Sequence, residues 1–581
     1  MRERLRPDAL GIALAIALGL PSIAFGYGRD QALFHYVARE WLAGRWPYVD
    51  VFDLKPPGIY VAYFPSALLG DAMWPARVVD LAAAVGVGAL AGRLTGRPGG
   101  VGAGALLAVA VHYALFDFWH AGQTEIWQCL FALAGIAAAR GEGAPARRGA
   151  LAGACAALAV LFKLTAALPC LVVGLALATR PRPLRALGFA GLSGAAILGG
   201  VVAVFAAVGG LGGIADLGRY LPAYAEARPA PVLEASVAFL LDHAGVVTVL
   251  AAGAGLLVAA RPPASAGLAF ALLAASLAAV LVQRKLVHYH WGALLGPAVW
   301  IGALALTRGG RWAALTGAGL VAALVVATGP PWRSNPELTY ARFARLHAVP
   351  SGLDPRASLS LFRGESAWDL SFQAEAGELI RARGVEPHDQ LHARGFEPAY
   401  YVFSGLSSPA RFVNETHFDE VRAPFVQAWW REHEARLEMT SPRFVATFLD
   451  RPRELSDLVR RGYRPILRRG PHVLLERADR SRRLWTRSRI PGGTRPPLSL
   501  RSAVLRWSTS QRESPRSRGA CSPSSSSRWC SEASSRGSCS GAGCRSSPRG
   551  RASRRCAGGR CPPTSGRCSP PTSSGPAAGA T

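Results

Sequence analysis

The sequence predicts a polytopic α-helical membrane protein of about eleven transmembrane helices, with a small C-terminal α/β extracytoplasmic domain and a disordered tail. Three observations predict it. Half of the 581 residues are apolar and cluster in long uncharged runs. Lys and Arg fall into short loops that alternate to one side of those runs. The chain then turns charged and mixed after about residue 330.

The apolar runs cover residues 9–26, 76–92, 99–116, 126–139, 149–162, 164–179, 186–208, 244–260, 264–281, 291–307 and 312–329. The first follows a basic start, as in a signal peptide, but no small-residue cleavage site precedes Tyr27, so it reads as a retained anchor. With Arg2 to Arg6 inside, alternation places Arg93, Arg97, Arg140, Arg147, Arg148, Arg180, Arg182, Arg185, Arg261, Arg308 and Arg311 inside too. The opposite side receives 27–75, 117–125, Lys163, 209–243, 282–290 and everything after 330. The N-terminus is therefore expected in the cytoplasm.

Three regions follow: 1–330 as the transmembrane domain with its interfacial first loop 27–75, 331–480 as the extracytoplasmic α/β domain, and 481–581 as a low-complexity tail. Short β-type runs at 444–448 and 473–475 alternate with helical patterns at 421–438 and 453–461. The tail, rich in Ser, Arg, Gly, Pro and Cys, lacks apolar periodicity and is expected to be disordered. Its nineteen Arg against two Glu supply most of the net charge of +28. Ser/Arg-rich sequence can bind RNA, but this one falls outside the cell's nucleic acid, and no nucleic-acid partner is expected. Its abrupt onset also resembles an out-of-frame extension. Cys129, Cys155 and Cys170 lie in apolar runs and the other cysteines in the tail, with no spacing that suggests structural zinc.

In the first loop, Leu33, Phe34, Val37, Trp41 and Leu42 recur at helical spacing opposite Gln31, His35, Arg39 and Glu40. Residues 30–43 thus suit a helix lying in the interface, stopped by Gly44. Trp46-Pro47-Tyr48 supplies headgroup-level aromatics, and Pro56-Pro57 keep Asp50 to Lys55 extended. Asp30 suits an N-cap, and also a general base held at the membrane surface. Lys55 is either an interfacial lysine or a fixed cation for a lipid phosphate, with Asp53 beside it.

Asp117 to Glu125 is a turn dense in polar groups, including His120; Glu125 either opens the next helix or meets substrate. Lys163 either snorkels or reaches the same anion. Arg284, Lys285, His288, Tyr289 and His290 form a basic cluster against the charge trend, which favours an anionic headgroup over a metal, because no third ligand is evident beside the two His.

The order Asp30, Pro47-Tyr48, Asp53-Leu54-Lys55-Pro56-Pro57, Gln123-Thr124-Glu125, Phe162-Lys163 and Lys285 to Trp291 resembles the protein O-mannosyltransferase-like branch of the membrane glycosyltransferase C superfamily. That branch includes bacterial relatives that modify lipid A with aminoarabinose. The likeness covers about residues 8–330, and Gly395 to Tyr401 resembles the far-side domain of bacterial members. It implies a GT-C-like fold and inverting, metal-independent transfer of a hexosyl or pentosyl group from a polyprenyl-phosphate carrier to a protein, lipid or glycan acceptor at the outer face of a bacterial inner membrane. Asp30 would be the base and Lys55 a carrier-phosphate contact, with Asp53, His120, Glu125, Lys163, Lys285, His288, Tyr289 and His290 as further substrate contacts. The lipid-linked sugar would be a substrate, so no cofactor is expected, although the sequence does not rule against a divalent metal. Superfamily members often carry a doubled acid after the first span; here Gln31 follows Asp30.

Two other classes compete. A flippase or other transporter of lipid-linked sugars would place its ionisable residues at mid-membrane and often repeat its halves, whereas here they gather at one face. A membrane-anchored binding protein would need a site in 330–480, where the sequence shows none.

Overall fold

The computed structural model describes residues 2–70, 72–227, 229–242, 264–308, 358–363 and 368–478. Every predicted apolar run within them lies on helix. Pro7–Ala24, Trp74–Arg93, Pro145–Phe162, Pro183–Ala207 and His288–Thr307 are long and apolar enough to cross a membrane, and Gly100–Leu115, Leu164–Ala178 and Ser265–Leu281 are shorter apolar helices. Leu184, Leu192, Val202 and Val204 along Pro183–Ala207 are exposed, as a lipid-facing surface requires. The predicted runs 244–260 and 312–329, and the tail 481–581, lie outside the described residues.

Small residues let the helices approach closely. A Cβ on Gly92 would fall 1.9 Å from the Gly100 carbonyl oxygen, and one on Gly88 would fall 2.3 Å from that of Gly104. Trp74–Arg93 and Gly100–Leu115 thus touch backbone to backbone, the small-residue packing expected where water provides no driving force.

Two segments read as loop are helical: Gly58–Leu68, which starts directly after Pro56-Pro57, and Leu211–Glu226. The first has only 11 residues, too few to span.

The helix predicted over 30–43 is Arg29–Leu42, and Gly44 ends it at φ 87°. Its polar face, however, does not meet water. Gln31, His35 and Glu40 are all buried: Gln31 against the 117–123 turn, His35 against Tyr27, and Glu40 beneath a second layer. Arg39 donates to the carbonyls of Tyr401 and Leu406, each at 2.8 Å. Glu40 accepts from Arg45 at 2.6 Å and from Ser407 at 3.0 Å. An amphipathic pattern gives the polar face but not what covers it.

That second layer is residues 368–478, a four-stranded sheet of order β1-β2-β4-β3. Leu391–Ala393 (β1) runs parallel to Phe444–Phe448 (β2), His472–Arg477 (β4) is antiparallel to β2, and Tyr463–Arg469 (β3) is antiparallel to β4. The helices Leu370–Ala382, Pro424–Thr440 and Pro452–Arg460 accompany it. Both layers belong to one compact unit.

Candidate active site

Four segments that join the apolar helices converge: 25–58, which contains the helix Arg29–Leu42, and 116–124, 163–166 and 284–292. Arg77, one turn inside Trp74–Arg93, ties two of them, donating to the carbonyls of Gly26 at 2.5 Å, Phe118 at 2.9 Å and Ala121 at 3.1 Å. Asp80, on the same helix face, accepts from Gly122 N–H at 3.0 Å and pairs with His112 at 3.2 Å. These contacts fix the polar turn at 117–123 beneath the start of Arg29–Leu42.

Asp30 is the second residue of that helix rather than its cap. The N-cap is Gly28, whose N–H donates to Gln31 Oε1 at 3.0 Å. The N-cap reading of Asp30 is thereby corrected: Gln31 reaches back to the helix start, so the carboxylate of Asp30 is not needed there. It points instead to Gln123, whose Nε2 donates to Oδ2 at 3.0 Å. Gln31 Nε2 donates to the carbonyls of Trp119 at 2.8 Å and Ala121 at 2.7 Å. A carboxylate at 31 would have no hydrogen for those two acceptors, which gives a physical reason for an amide beside Asp30.

Asp53 is buried, accepting from Tyr60 O–H at 2.9 Å and from Leu54 N–H at 2.7 Å. Burial pushes its carboxyl up to about 6, against the opposing pull of Lys55, with the Asp30 charge adding to the rise. The Tyr48 hydroxyl donates to the Lys55 carbonyl at 2.6 Å. Lys55 Nζ donates to Tyr289 O–H at 3.1 Å and sits 4.7 Å from the centre of its ring. Lys163, ion-paired with Glu125, stands 5.8 Å from the same ring. Tyr289 thus has two lysines close to its ring.

His120, Gln123, Glu125, Tyr289 and Gly292 line one small pocket, and Gln123 connects it to Asp30. His120 lies 3.1 Å from Asp117, and its ring is 5.6 Å from that of His288. His290 packs edge-on against Tyr289 at 4.7 Å. Lys285 goes elsewhere: it donates to the Ala227 carbonyl and stacks on Tyr224 at 4.3 Å. Thus Asp30, Asp53, Lys55, His120, Glu125, Lys163, Tyr289 and His290 are linked through these contacts, while Lys285 anchors the segment that follows Leu211–Glu226.

Sequence reasoning passed over Tyr60, Arg77, Asp80 and the pair Arg29–Glu397. Arg77 and Asp80 carried a signal, being charges three apart within an apolar run. Arg29, adjacent to Asp30, puts Nη2 2.5 Å and Nε 3.2 Å from Glu397 Oε1 and lies over the rings of Trp119 and Trp368 at 5.8 and 5.7 Å. Gln373 donates to the other Glu397 oxygen at 2.7 Å.

Burial raises Glu397 to about 7, outweighing the attraction of Arg29. The folded value lies above the unfolded one, so the stability this group contributes is full below about pH 4.5 and is lost as pH rises through about 7. In detergent, the melting temperature of the unmodified chain should fall between about pH 5 and pH 8, and Glu397→Gln should remove part of that slope. An identical slope in both proteins would assign the pH dependence to other groups.

The arrangement defines a multi-pass membrane fold with a carboxylate and two lysines gathered where the connections between helices meet. Among solved structures, the fold is similar to that of ArnT from Cupriavidus metallidurans. Its crystal structures bound to undecaprenyl phosphate and in the apo state each match with a TM-score of 0.51 at 16% identity, covering 80% of this chain and 97% of theirs. No family model and no curated protein matches the sequence.

Proposed function

We propose that this chain is an inverting glycosyltransferase that moves a sugar from a polyprenyl-phosphate carrier to an acceptor on the extracytoplasmic side of the membrane. One observation carries the reading: Asp30, whose carboxylate among the described residues is hydrogen-bonded by the neutral amide of Gln123, belongs to the same connected cluster as Lys55, Tyr289 and Lys163. The undecaprenyl phosphate bound to the ArnT of like fold supports a carrier of that chemistry.

In this reading Asp30 takes the proton of the acceptor hydroxyl, whose oxygen attacks the anomeric carbon from the face opposite the phosphate. A single displacement inverts that centre. The phosphate departs as an anion and needs no proton, so a second carboxylic acid of the kind used by glycosidases is unnecessary. Lys55, with the Tyr289 hydroxyl beside it, stabilises the departing charge. Glu125 keeps Lys163 in place. Tyr60, whose hydroxyl lies within hydrogen-bond distance of both Asp53 and the Lys55 carbonyl, holds the Lys55 backbone.

Purified chain in lipid, given a panel of radiolabelled polyprenyl-phosphate sugars and a membrane fraction as acceptor source, should move label from one of them to the acceptor. Loss of label from no donor, together with passage of lipid-linked sugar across the bilayer, would replace the transferase by a transporter.

A further inference from the structure

The α/β layer holds a second cluster that the transferase reading does not use. His392 is the middle residue of β1, Glu415 precedes the short helix Thr416–Glu420, and His433 lies within Pro424–Thr440. All three are buried, and their ligand atoms lie within 4.8 Å of one another. His433 Nε2 is 3.0 Å and His392 Nε2 3.1 Å from the same oxygen, Glu415 Oε1. The other oxygen, Oε2, accepts from Gly395 N–H at 2.7 Å.

We propose that His392, Glu415 and His433 bind a divalent transition metal of zinc type. Two imidazoles and one carboxylate are a common zinc donor set, leaving a fourth position for water. At bonds of about 2.0–2.1 Å, tetrahedral ligand atoms stand roughly 3.3 Å apart, within a few tenths of an ångström of the two separations here.

The competing account is a hydrogen-bonded triad reinforced by Arg394, whose Nη1 is also 3.0 Å from Glu415 Oε1. His433 is aligned for such a bond. His392 is less well met: although buried, its Nε2 lies 3.1 Å from Glu415 Oε1 without the alignment of a hydrogen bond, and among the described residues neither its Nδ1 nor that of His433 has a hydrogen-bond partner. Leaving a buried imidazole so poorly met is costly, and a cation on Nε2 removes part of that cost.

Charge points the same way. Arg394 also meets Glu434 and Glu454, each at 3.0 Å, and Arg451 stands 3.6 Å from Glu454. Three carboxylates thus face two guanidinium groups, and the cluster is net negative with neutral imidazoles. His392, Arg394, Glu434, Glu454 and Asp457 also line a cleft, which gives an ion a route in.

The ion would tie β1 and Pro424–Thr440 to the segment 411–416. In that segment the Arg411 carbonyl accepts from Phe52 N–H at 2.8 Å, and Phe412 packs on the Phe52 ring at 5.3 Å. Its role is structural and does not depend on the chemistry proposed for Asp30.

Tag-free full chain in detergent, stripped with a chelator and then exposed to zinc, should retain about one zinc per chain by elemental analysis and gain melting temperature. Cobalt in place of zinc should give a visible absorption band from a tetrahedral site. His433→Ala and Glu415→Gln should each lower retained zinc at least tenfold, whereas His388→Ala, at an exposed histidine, should not. His392→Cys keeps a zinc ligand and should retain the ion, so it remains informative if the alanine variant does not fold. Unmodified chain that retains no zinc and gives no cobalt band would overturn the proposal, as would zinc retention unchanged in His433→Ala.

Discussion

Asp30→Asn is expected to insert and bind donor normally yet lose transfer by at least ~100-fold, the scale for removing a general base. Gly28 and Gln31 already complete the helix start, so residue 30 is free of a capping duty and the substitution isolates its chemistry. The amide remains close in shape and can still meet Gln123, with either side chain turned to suit. It cannot take the acceptor's proton. Transfer rates measured at saturating donor, beside donor binding by filtration, separate the two functions. Near-normal transfer would remove Asp30 from the reaction and leave Asp53 and Glu125 as the carboxylates to test.

The second large effect falls on Lys55. Lys55→Ala should weaken donor binding roughly 10- to 100-fold, as expected for losing a charged contact to phosphate. Folding should change little, because the side chain's contact is to Tyr289 and a partly buried lysine of this kind contributes modestly to stability. Lys55→Arg should recover part of the affinity: it restores the charge but its larger planar head fits the Tyr289 ring differently. Unchanged donor affinity in the alanine variant would shift the phosphate contact to Lys163, which stands near the same ring.

The helical runs were legible because apolar length is a local property, and each predicted run within the described residues is helical. Asp30, Lys55, Glu125, Lys163 and Tyr289 were legible as polar groups in connections otherwise short of them. Their pairings were not, since Tyr289 and Lys55 lie far apart in the chain and only packing makes them partners. Gln31 illustrates the same limit. Read along the sequence it is a missing acid, yet its amide hydrogens reach two carbonyls of the 117–123 turn. The triad His392, Glu415 and His433 gave no motif because its members come from a strand, a loop and a helix rather than from one periodic segment.

Phe52 makes the two layers inseparable for an engineer. Its N–H is held by Arg411, and its ring is enclosed by Tyr220, Phe412 and Trp429, one residue before Asp53 and three before Lys55. A chimera that grafts the C-terminal half of a relative onto this helix bundle would therefore inherit a mismatched socket for that ring. Exchange of parts between such proteins should succeed only when the 50–57 segment, Leu211–Glu226 and the 411–433 wall travel together as one heritable block.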